Sequence, residues 1–128
     1  MSILSIRGAT TVPENSVSAI LDSTKELLIE IEKANNINKD KVISIIFSCT
    51  SDLDKVYPAK AARELGYIHA GLMCFNEMFV ENSLNMCIRI MILCDLNIEQ
   101  KDIEHIYLKE AMILRPDLIN KNFKYNLL

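Results

Sequence analysis

The fold is decided by the run Met86-Cys87-Ile88-Arg89-Ile90-Met91-Ile92-Leu93, in which β-branched and sulfur-containing side chains surround a single arginine. Such a short apolar run, followed here by Cys94-Asp95, predicts a strand that is buried on both faces. Because a guanidinium cannot lose its proton, burying Arg89 without an anion would cost several kcal/mol. We therefore expect Arg89 to be retained for an anionic ligand.

Length and charge limit what the rest of the chain can be. The 128 residues, of which 50% are hydrophobic and 24% are charged, are typical of a globular protein with one domain spanning residues 1–128. A domain of this size is small for a deep pocket of its own. The net charge of −3 argues against nucleic acid and against a membrane surface as partners.

The cysteines indicate the compartment, and the histidines bear on metal binding. All four cysteines lie in or beside apolar segments without a C-x-x-C pair, which favours free thiols in a reducing cytosol. Neither His69 nor His105 has a cysteine at ligand spacing, so we expect no metal site. The sequence shows neither a secretory signal nor a membrane span. We therefore expect a cytoplasmic protein.

Apolar runs predict five strands in an α/β (α+β) protein. The first covers residues 2–7 and ends at Gly8, where the missing side chain would allow close backbone approach to a ligand. The fourth is the Arg89 run. The other three are expected at Lys41–Ser48, Gly71–Phe75 and about Ile106–Leu114. The polar tail after about residue 116 is expected to be mobile.

Two helices are predicted between these strands. The stretch Pro13-Glu14-Asn15-Ser16 indicates the start of a long amphipathic helix capped by Asn15 or Ser16, and Asn35-Asn36 indicates its end. Pro58 indicates the start of a short helix, which Gly66 ends.

Three polar residues recur at every third position across the start of the short helix: Tyr57, Lys60 and Arg63. On a helix these positions share one face, so they could form a cationic surface for an anion. The alternative is a solvated face on which Lys60 pairs with Glu64. The residues by themselves leave both interpretations open.

Four further residues are candidates for a binding site. Arg7 is at the end of the first predicted strand and could also be a solvent-exposed strand end. Glu77 has apolar neighbours and needs a donor, which would be Arg89 in a structural pair or a ligand hydroxyl in a functional one. Tyr107 and Arg115 bracket the last strand, and could equally be a core tyrosine and a surface arginine.

Together these residues closely resemble a known family, the monofunctional bacterial chorismate mutases of the trimeric α/β-barrel class, from about Ile3 to Leu118. The matching segments are Arg7-Gly8-Ala9-Thr10-Thr11, Pro58-Ala59-Lys60-Ala61-Ala62-Arg63-Glu64-Leu65, Glu77-Met78, Cys87-Ile88-Arg89, Tyr107-Leu108 and Leu114-Arg115-Pro116-Asp117-Leu118. The chain departs from the family at Tyr57, where phenylalanine is usual, and in the stretch Gly66–Gly71, which is one residue shorter.

The resemblance implies a fold, an assembly and a reaction. The expected fold is a mixed five-stranded sheet with one long and one short helix, and three chains would form a pseudo-α/β barrel with active sites between neighbouring subunits. The expected reaction is the Claisen rearrangement of chorismate to prephenate, on the route to phenylalanine and tyrosine. It would require no cofactor.

The resemblance also assigns roles. Arg89 would donate to the ether oxygen of chorismate and to the carboxylate of its enolpyruvyl side chain. Arg7 and Tyr107 would hold the enolpyruvyl carboxylate, while Glu77 and the backbone of Cys74 would bind the ring hydroxyl. The catalytic residues would thus be Arg89, Glu77 and Arg7. The remaining substrate contacts would be Tyr57, Lys60 and Arg63 from the neighbouring subunit, and Arg115 with the tail closing over the site.

Two alternative functions remain open at this point. A trimer with the same cationic cleft could bind small carboxylates without catalysing a reaction. An imine deaminase built on a similar trimeric barrel also uses an arginine for a carboxylate, but it lacks the combination of Arg7, Arg89 and Glu77.

Overall fold

A computed structural model describes residues 2–119, which form one five-stranded sheet with helices packed against it. The strands are β1 (Ile3–Thr11), β2 (Val42–Cys49), β3 (Gly71–Asn76), β4 (Cys87–Asp95) and β5 (Ile106–Tyr107). The helices are α1 (Val17–Asn35), α2 (Ala59–Glu64) and the short α3 (Pro116–Ile119). Most of the tail that the sequence predicts to be mobile, residues 120–128, lies outside the described residues.

The strand that contains Arg89, β4, lies at the centre of the sheet, whose order is β3-β2-β4-β1-β5. It pairs antiparallel with β1 and β2, while β3 and β5 add parallel edges. This register places Arg89 opposite Ala9 on one side and Ser48 on the other, and Ala9 lies opposite Tyr107. Paired residues share a face of the sheet, so Arg89, Ser48 and Tyr107 point to the same side. The predicted mixed five-stranded sheet is confirmed.

The two faces of the sheet differ because α1 and α2 cover only one of them. On that helix face, Ile88, Ile90 and Ile92 are buried in the main core. The opposite face, here called the open face, carries Arg89 and Met91, and 47% of the Arg89 side chain is exposed. The prediction of a strand buried on both faces is therefore wrong for a single chain. The energetic cost of burying the guanidinium does not arise there.

Local sequence signals set the ends of the two main helices. Ser16 caps α1 by accepting a hydrogen bond from the backbone N–H of Ala19 at 3.2 Å. Asn36 ends α1 in the left-handed conformation, with φ of 55°. Pro58 precedes α2 and Gly66 ends it with φ of 98°. These predictions are confirmed. No helix within residues 2–119 is long and apolar enough to cross a membrane.

Gly8 lies inside β1, because the strand continues to Thr11 instead of ending at the glycine. An added Cβ would lie 2.8 Å from Cδ1 of Ile31 on α1 and 2.9 Å from the carbonyl oxygen of Ile106 on β5. The missing side chain therefore makes room for the Ile31 side chain on α1 and for the backbone of β5. Gly8 also lines a cleft on the open face, so the expected approach of a ligand stays a prediction.

The last strand is shorter than predicted. β5 contains only Ile106 and Tyr107, and residues 109–113 form a 3-10 helix. Lys109 has φ of 54°, which turns the chain out of the extended conformation. The turn lets Ala111 pack with Ala9, Cys87 and Tyr107 in a second apolar cluster on the open face. Burial of this cluster favours the turn over a continued strand.

We expect Gly8→Ala to lower the free energy of unfolding by about 1–3 kcal/mol, because the Cβ would collide with a backbone carbonyl that cannot rotate away. Gly71→Ala is the matched control, since its Cβ would meet nothing nearer than the Ile43 carbonyl oxygen at 3.8 Å. Urea unfolding measures both variants. Equal midpoints for the two would contradict the packing role of Gly8.

Candidate active site

A cleft of about 550 Å³ on the open face brings together five of the predicted site residues. These residues, which we call the anion cleft, are Arg7, Glu77, Arg89, Tyr107 and Arg115. They come from β1, the end of β3, β4, β5 and the segment before α3. Sheet pairing therefore joins residues that are distant in the sequence.

Glu77 and Arg89 contact each other in the anion cleft. Nε of Arg89 lies 3.5 Å from Oε2 of Glu77, and Ser48 Oγ donates a hydrogen bond to the same Oε2. The backbone N–H of Glu77 donates to the Cys49 carbonyl at 2.8 Å, which fixes where the chain leaves β3. Both contacts of the carboxylate within residues 2–119 fall on Oε2, so Oε1 is available to a ligand donor.

Arg7 is the cation of this cleft whose side chain lacks an ion pair within residues 2–119. Its backbone N–H donates to Nδ1 of His105 at 2.9 Å. Tyr107, which is 8% exposed, lines the cleft with it. A guanidinium that is not held in a salt bridge, beside a phenol, is suited to binding a carboxylate.

His105 adjoins two cations of the cleft. Burial lowers the pKa of its imidazole, and the guanidiniums of Arg7 and Arg115 lower that pKa further. The ring is therefore neutral near pH 7. A neutral ring whose Nδ1 accepts a hydrogen bond carries its proton on Nε2.

Arg115 is paired with Asp117 through two hydrogen bonds. Nε donates to Oδ1 at 3.1 Å and Nη2 donates to Oδ2 at 2.9 Å. The pair raises the pKa of Arg115 and lowers the pKa of Asp117. Because the pair is solvated, it adds little to stability. A ligand carboxylate that replaced Asp117 would find the same two donors.

The other four predicted site residues lie elsewhere in the chain. Tyr57, Arg63 and Cys74 line a separate pocket of about 260 Å³, and Lys60 is exposed on α2. A larger pocket of about 590 Å³ shares Tyr57 and Cys74 but has no arginine among its described lining residues. Within a single chain, the cations of α2 therefore lie apart from the anion cleft.

The cysteines are poor nucleophiles near pH 7. Burial raises the pKa of Cys49 to about 12 and that of Cys87 to about 11, and it also raises the pKa of Cys74 and Cys94. Thiols with raised pKa values stay protonated and unreactive. Within residues 2–119, no group of three His, Cys, Asp or Glu side chains could hold a metal ion. The expected absence of a cofactor stays a prediction.

The sequence does not single out two residues that contact the predicted site. Strand alternation places Ser48 on the same face of β2 as Ile46, but the sequence does not show that this face lies beside Arg89. His105 carries no such signal, because its contact with Arg7 depends on the pairing of β1 with β5.

Comparison with known proteins identifies the family. The family model described as chorismate mutase type I matches residues 3–118. The chorismate mutase AroH of Bacillus subtilis (strain 168) is 42% identical over 124 residues, which cover 95% of this chain and 98% of the relative. The chorismate mutase AroH of Thermus thermophilus is 40% identical over 114 residues, which cover 88% and 93% respectively.

A solved structure of a chorismate mutase from Clostridium thermocellum has the same fold. It matches with a TM-score of 0.83 and 45% sequence identity, over 85% of this chain and 97% of that chain. The resemblance inferred from the motifs is thereby confirmed. By its sequence and by its fold, the chain belongs to the chorismate mutase type I family.

Proposed function

We propose that this chain converts chorismate to prephenate by a Claisen rearrangement, in the route to phenylalanine and tyrosine and without a cofactor. Family membership supports the reaction. The observation that carries it is the anion cleft, in which three guanidiniums and one carboxylate surround a space of about 550 Å³. Chorismate has two carboxylates for the cations and a ring hydroxyl for the acid.

The chemistry accounts for the residue types in this cleft. In a concerted pericyclic rearrangement no proton moves and no nucleophile attacks. Catalysis must therefore come from holding the compact reactive conformer and from stabilising charge as it develops. An acceleration near the low end for enzymes is about 10⁶-fold or ~8 kcal/mol, of which one well-placed donor supplies ~3–4 kcal/mol.

Arg89 would stabilise the negative charge that grows on the ether oxygen. Glu77 contacts Nε of Arg89. The terminal nitrogens of the guanidinium carry further N–H donors for the ether oxygen and for the enolpyruvyl carboxylate. The contact with Glu77 would also orient the guanidinium plane. Oε1 of Glu77, with the backbone of Cys74, would receive the ring hydroxyl.

Arg7 and Tyr107 would hold the enolpyruvyl carboxylate, since Arg7 lacks an ion pair within residues 2–119 and Tyr107 shares its cleft. Arg115 would close the site by exchanging Asp117 for a substrate carboxylate. This exchange replaces one charge-assisted bidentate pair by another, so its free energy change is small.

A homotrimer would complete the site. The open face exposes a row of large apolar side chains, namely Ile46, Met73, Phe75 and Met91. A contiguous apolar patch on a sheet face is typical of a subunit interface. Packing this face against a neighbour would form the pseudo-α/β barrel. It would also bring the neighbour's Tyr57, Lys60 and Arg63 to the anion cleft.

The expected compartment is the cytoplasm, and the expected partners are chorismate and two further copies of the chain. The four unpaired cysteines support a reducing compartment. The net charge of −3 gives no support to nucleic acid or a membrane surface as partner.

Neither alternative function is favoured. The named relatives and the matching solved structure are all chorismate mutases. Loss of chorismate absorbance on adding purified protein, without any cofactor, would distinguish a mutase from a carboxylate-binding trimer or an imine deaminase. Unchanged absorbance at micromolar protein would overturn the proposed function.

We expect Arg89→Ala to reduce kcat by about 10²–10³-fold, because it removes the donor to the ether oxygen. Arg89→Lys should fail similarly, because a point charge cannot replace the planar guanidinium that reaches two oxygens. Steady-state kinetics with chorismate measure both. Lys33→Ala, which removes an exposed cation of α1, is the control. Retention of more than about a tenth of the wild-type rate in Arg89→Ala would contradict this role.

We expect two inactive variants to complement each other if the site is shared between subunits. Mixed trimers of Arg89→Ala and Arg63→Ala chains should regain activity at about a quarter of their sites, where an intact Arg89 meets an intact Arg63 of the neighbour. Co-expression with two tags, followed by a chorismate assay, tests this. Arg89→Ala with Glu77→Ala is the control and should regain nothing, because both residues belong to one chain's cleft. Equal results for the two pairs would contradict the shared site.

We expect Ser48→Ala to lower kcat/KM about tenfold, because Glu77 loses the donor that fixes Oε2 and its Oε1 loses its orientation. Ser48→Thr keeps the hydroxyl and should recover most of the activity. Kinetics of both variants with chorismate provide the measurement. Wild-type kinetics in Ser48→Ala would exclude a role in positioning Glu77.

A further inference from the structure

The outer edge of β1 is completed partly by side chains. Its backbone pairing with β5 has only two residue pairs, Gly8 with Ile106 and Ala9 with Tyr107. Upstream of these, the Gln100 amide accepts from the Ser5 N–H at 3.0 Å and donates to the Ser5 carbonyl at 2.8 Å. Between the Gln100 bonds at Ser5 and the backbone pairing at Gly8 lies the Arg7 N–H, which donates to Nδ1 of His105 at 2.9 Å. Backbone groups at a strand edge need such partners.

His105 therefore extends the ladder between β1 and β5 by one rung, at the position of Arg7. The residue directly precedes β5, which carries Tyr107. The bond consequently ties the backbone of Arg7 to the strand that holds Tyr107. Without it, the two cleft residues would be joined only by the short backbone ladder downstream.

We propose that His105 is a positioning residue, whose neutral ring holds Arg7 and Tyr107 in register so that both grip one substrate carboxylate, and whose protonation loosens that grip. This inference rests on the proposed function, in which Arg7 and Tyr107 bind the enolpyruvyl carboxylate. In this role His105 touches neither the substrate nor the reacting atoms.

The surroundings of His105 make its protonation costly. Arg7 on β1 and Arg115 before α3 are the cations near the ring, and Glu104 beside it is the anion. From α1 comes the uncharged amide of Asn35, which bonds both backbone groups of Glu104 at 2.8 Å. A proton on Nδ1 would break the bond to Arg7 and add a third positive charge.

The direction of the pH effect follows from these contacts. Burial and the two guanidiniums lower the pKa of His105 below its ordinary value of about 6.5. The group therefore stays neutral above about pH 6.5, where its bond is intact, and the bond is lost as the pH falls through the lowered pKa. We expect kcat/KM to be flat between about pH 7 and 9, because the thiol pKa values are raised by burial, and to fall in acid.

The test compares pH profiles of kcat/KM from about pH 5 to 9 in matched variants. In His105→Asn, the amide oxygen replaces Nδ1 as an acceptor that cannot be protonated in this range. This variant should stay within about threefold of wild type at pH 7.5 and lose the acid limb. His105→Phe keeps a ring without an acceptor and should raise KM about tenfold, with a smaller change in kcat, because it loosens ground-state binding.

Two controls separate positioning from general destabilisation. His69→Asn changes the chain's other histidine, which is exposed, and should keep the acid limb. Gln100→Ala removes side-chain bonds at Ser5 on the same strand edge, so it should lower Tm but keep KM and the pH profile. An acid limb that survives in His105→Asn, or a wild-type KM in His105→Phe, would overturn the inference.

NMR titration provides a readout that does not depend on turnover. The Arg7 amide resonance should shift as the His105 ring titrates, and should not shift in His105→Asn. An Arg7 amide insensitive to this titration would exclude the proposed coupling. If wild-type protein fails to convert chorismate, the proposed function fails whatever the titration shows. If it converts chorismate but the profiles match, only the role of His105 fails.

Discussion

The two antiparallel ladders of β4 are the constraint on which the rest of the structure depends. They hold Arg89 between Ala9 and Ser48 and fix which face of the central strand meets α1 and α2. The isoleucines at 88, 90 and 92 supply the helix face, so the residues between them must point the other way. A shift of one residue would exchange the two sets and place the arginine in the core.

Two of the three arginines of the anion cleft have a counter-charge within residues 2–119. Glu77 accompanies Arg89 and Asp117 accompanies Arg115, whereas Arg7 lacks an ion pair within residues 2–119. This distribution suits a dianionic substrate, because one cation is available at once and another is held by a partner that a carboxylate can replace. Polar contacts behind the cleft then orient two of its residues, because Ser48 donates to the Glu77 carboxylate and His105 accepts from the Arg7 backbone N–H.

Particular residues show where sequence reasoning succeeded and where it failed. Ser16 begins a helix through its side-chain acceptor, and Asn36 and Gly66 end helices through a left-handed backbone; these local signals were predictable. The length of β5 was not predictable, because the turn at Lys109 is favoured by the packing of Ala111 against residues that are distant in the sequence, Ala9 and Cys87. The burial of Arg89 was overestimated for one chain, because an apolar run does not reveal whether helices or a second copy cover its outer face. The proposed trimer would restore that burial, with chorismate as the anion.

The sequence by itself determined the family, the order of strands and helices along the chain, and the identity of the cationic residues, because motifs, caps and apolar periodicity are local properties of the chain. The tertiary structure decided which residues meet. Sheet register and helix packing, both long-range, brought Arg7, Glu77 and Arg89 into one cleft and left Arg63 in another. They also gave Ser48 and His105 their contacts. Two residues that pair across a sheet need no relation in sequence, so only the folded chain could reveal these contacts.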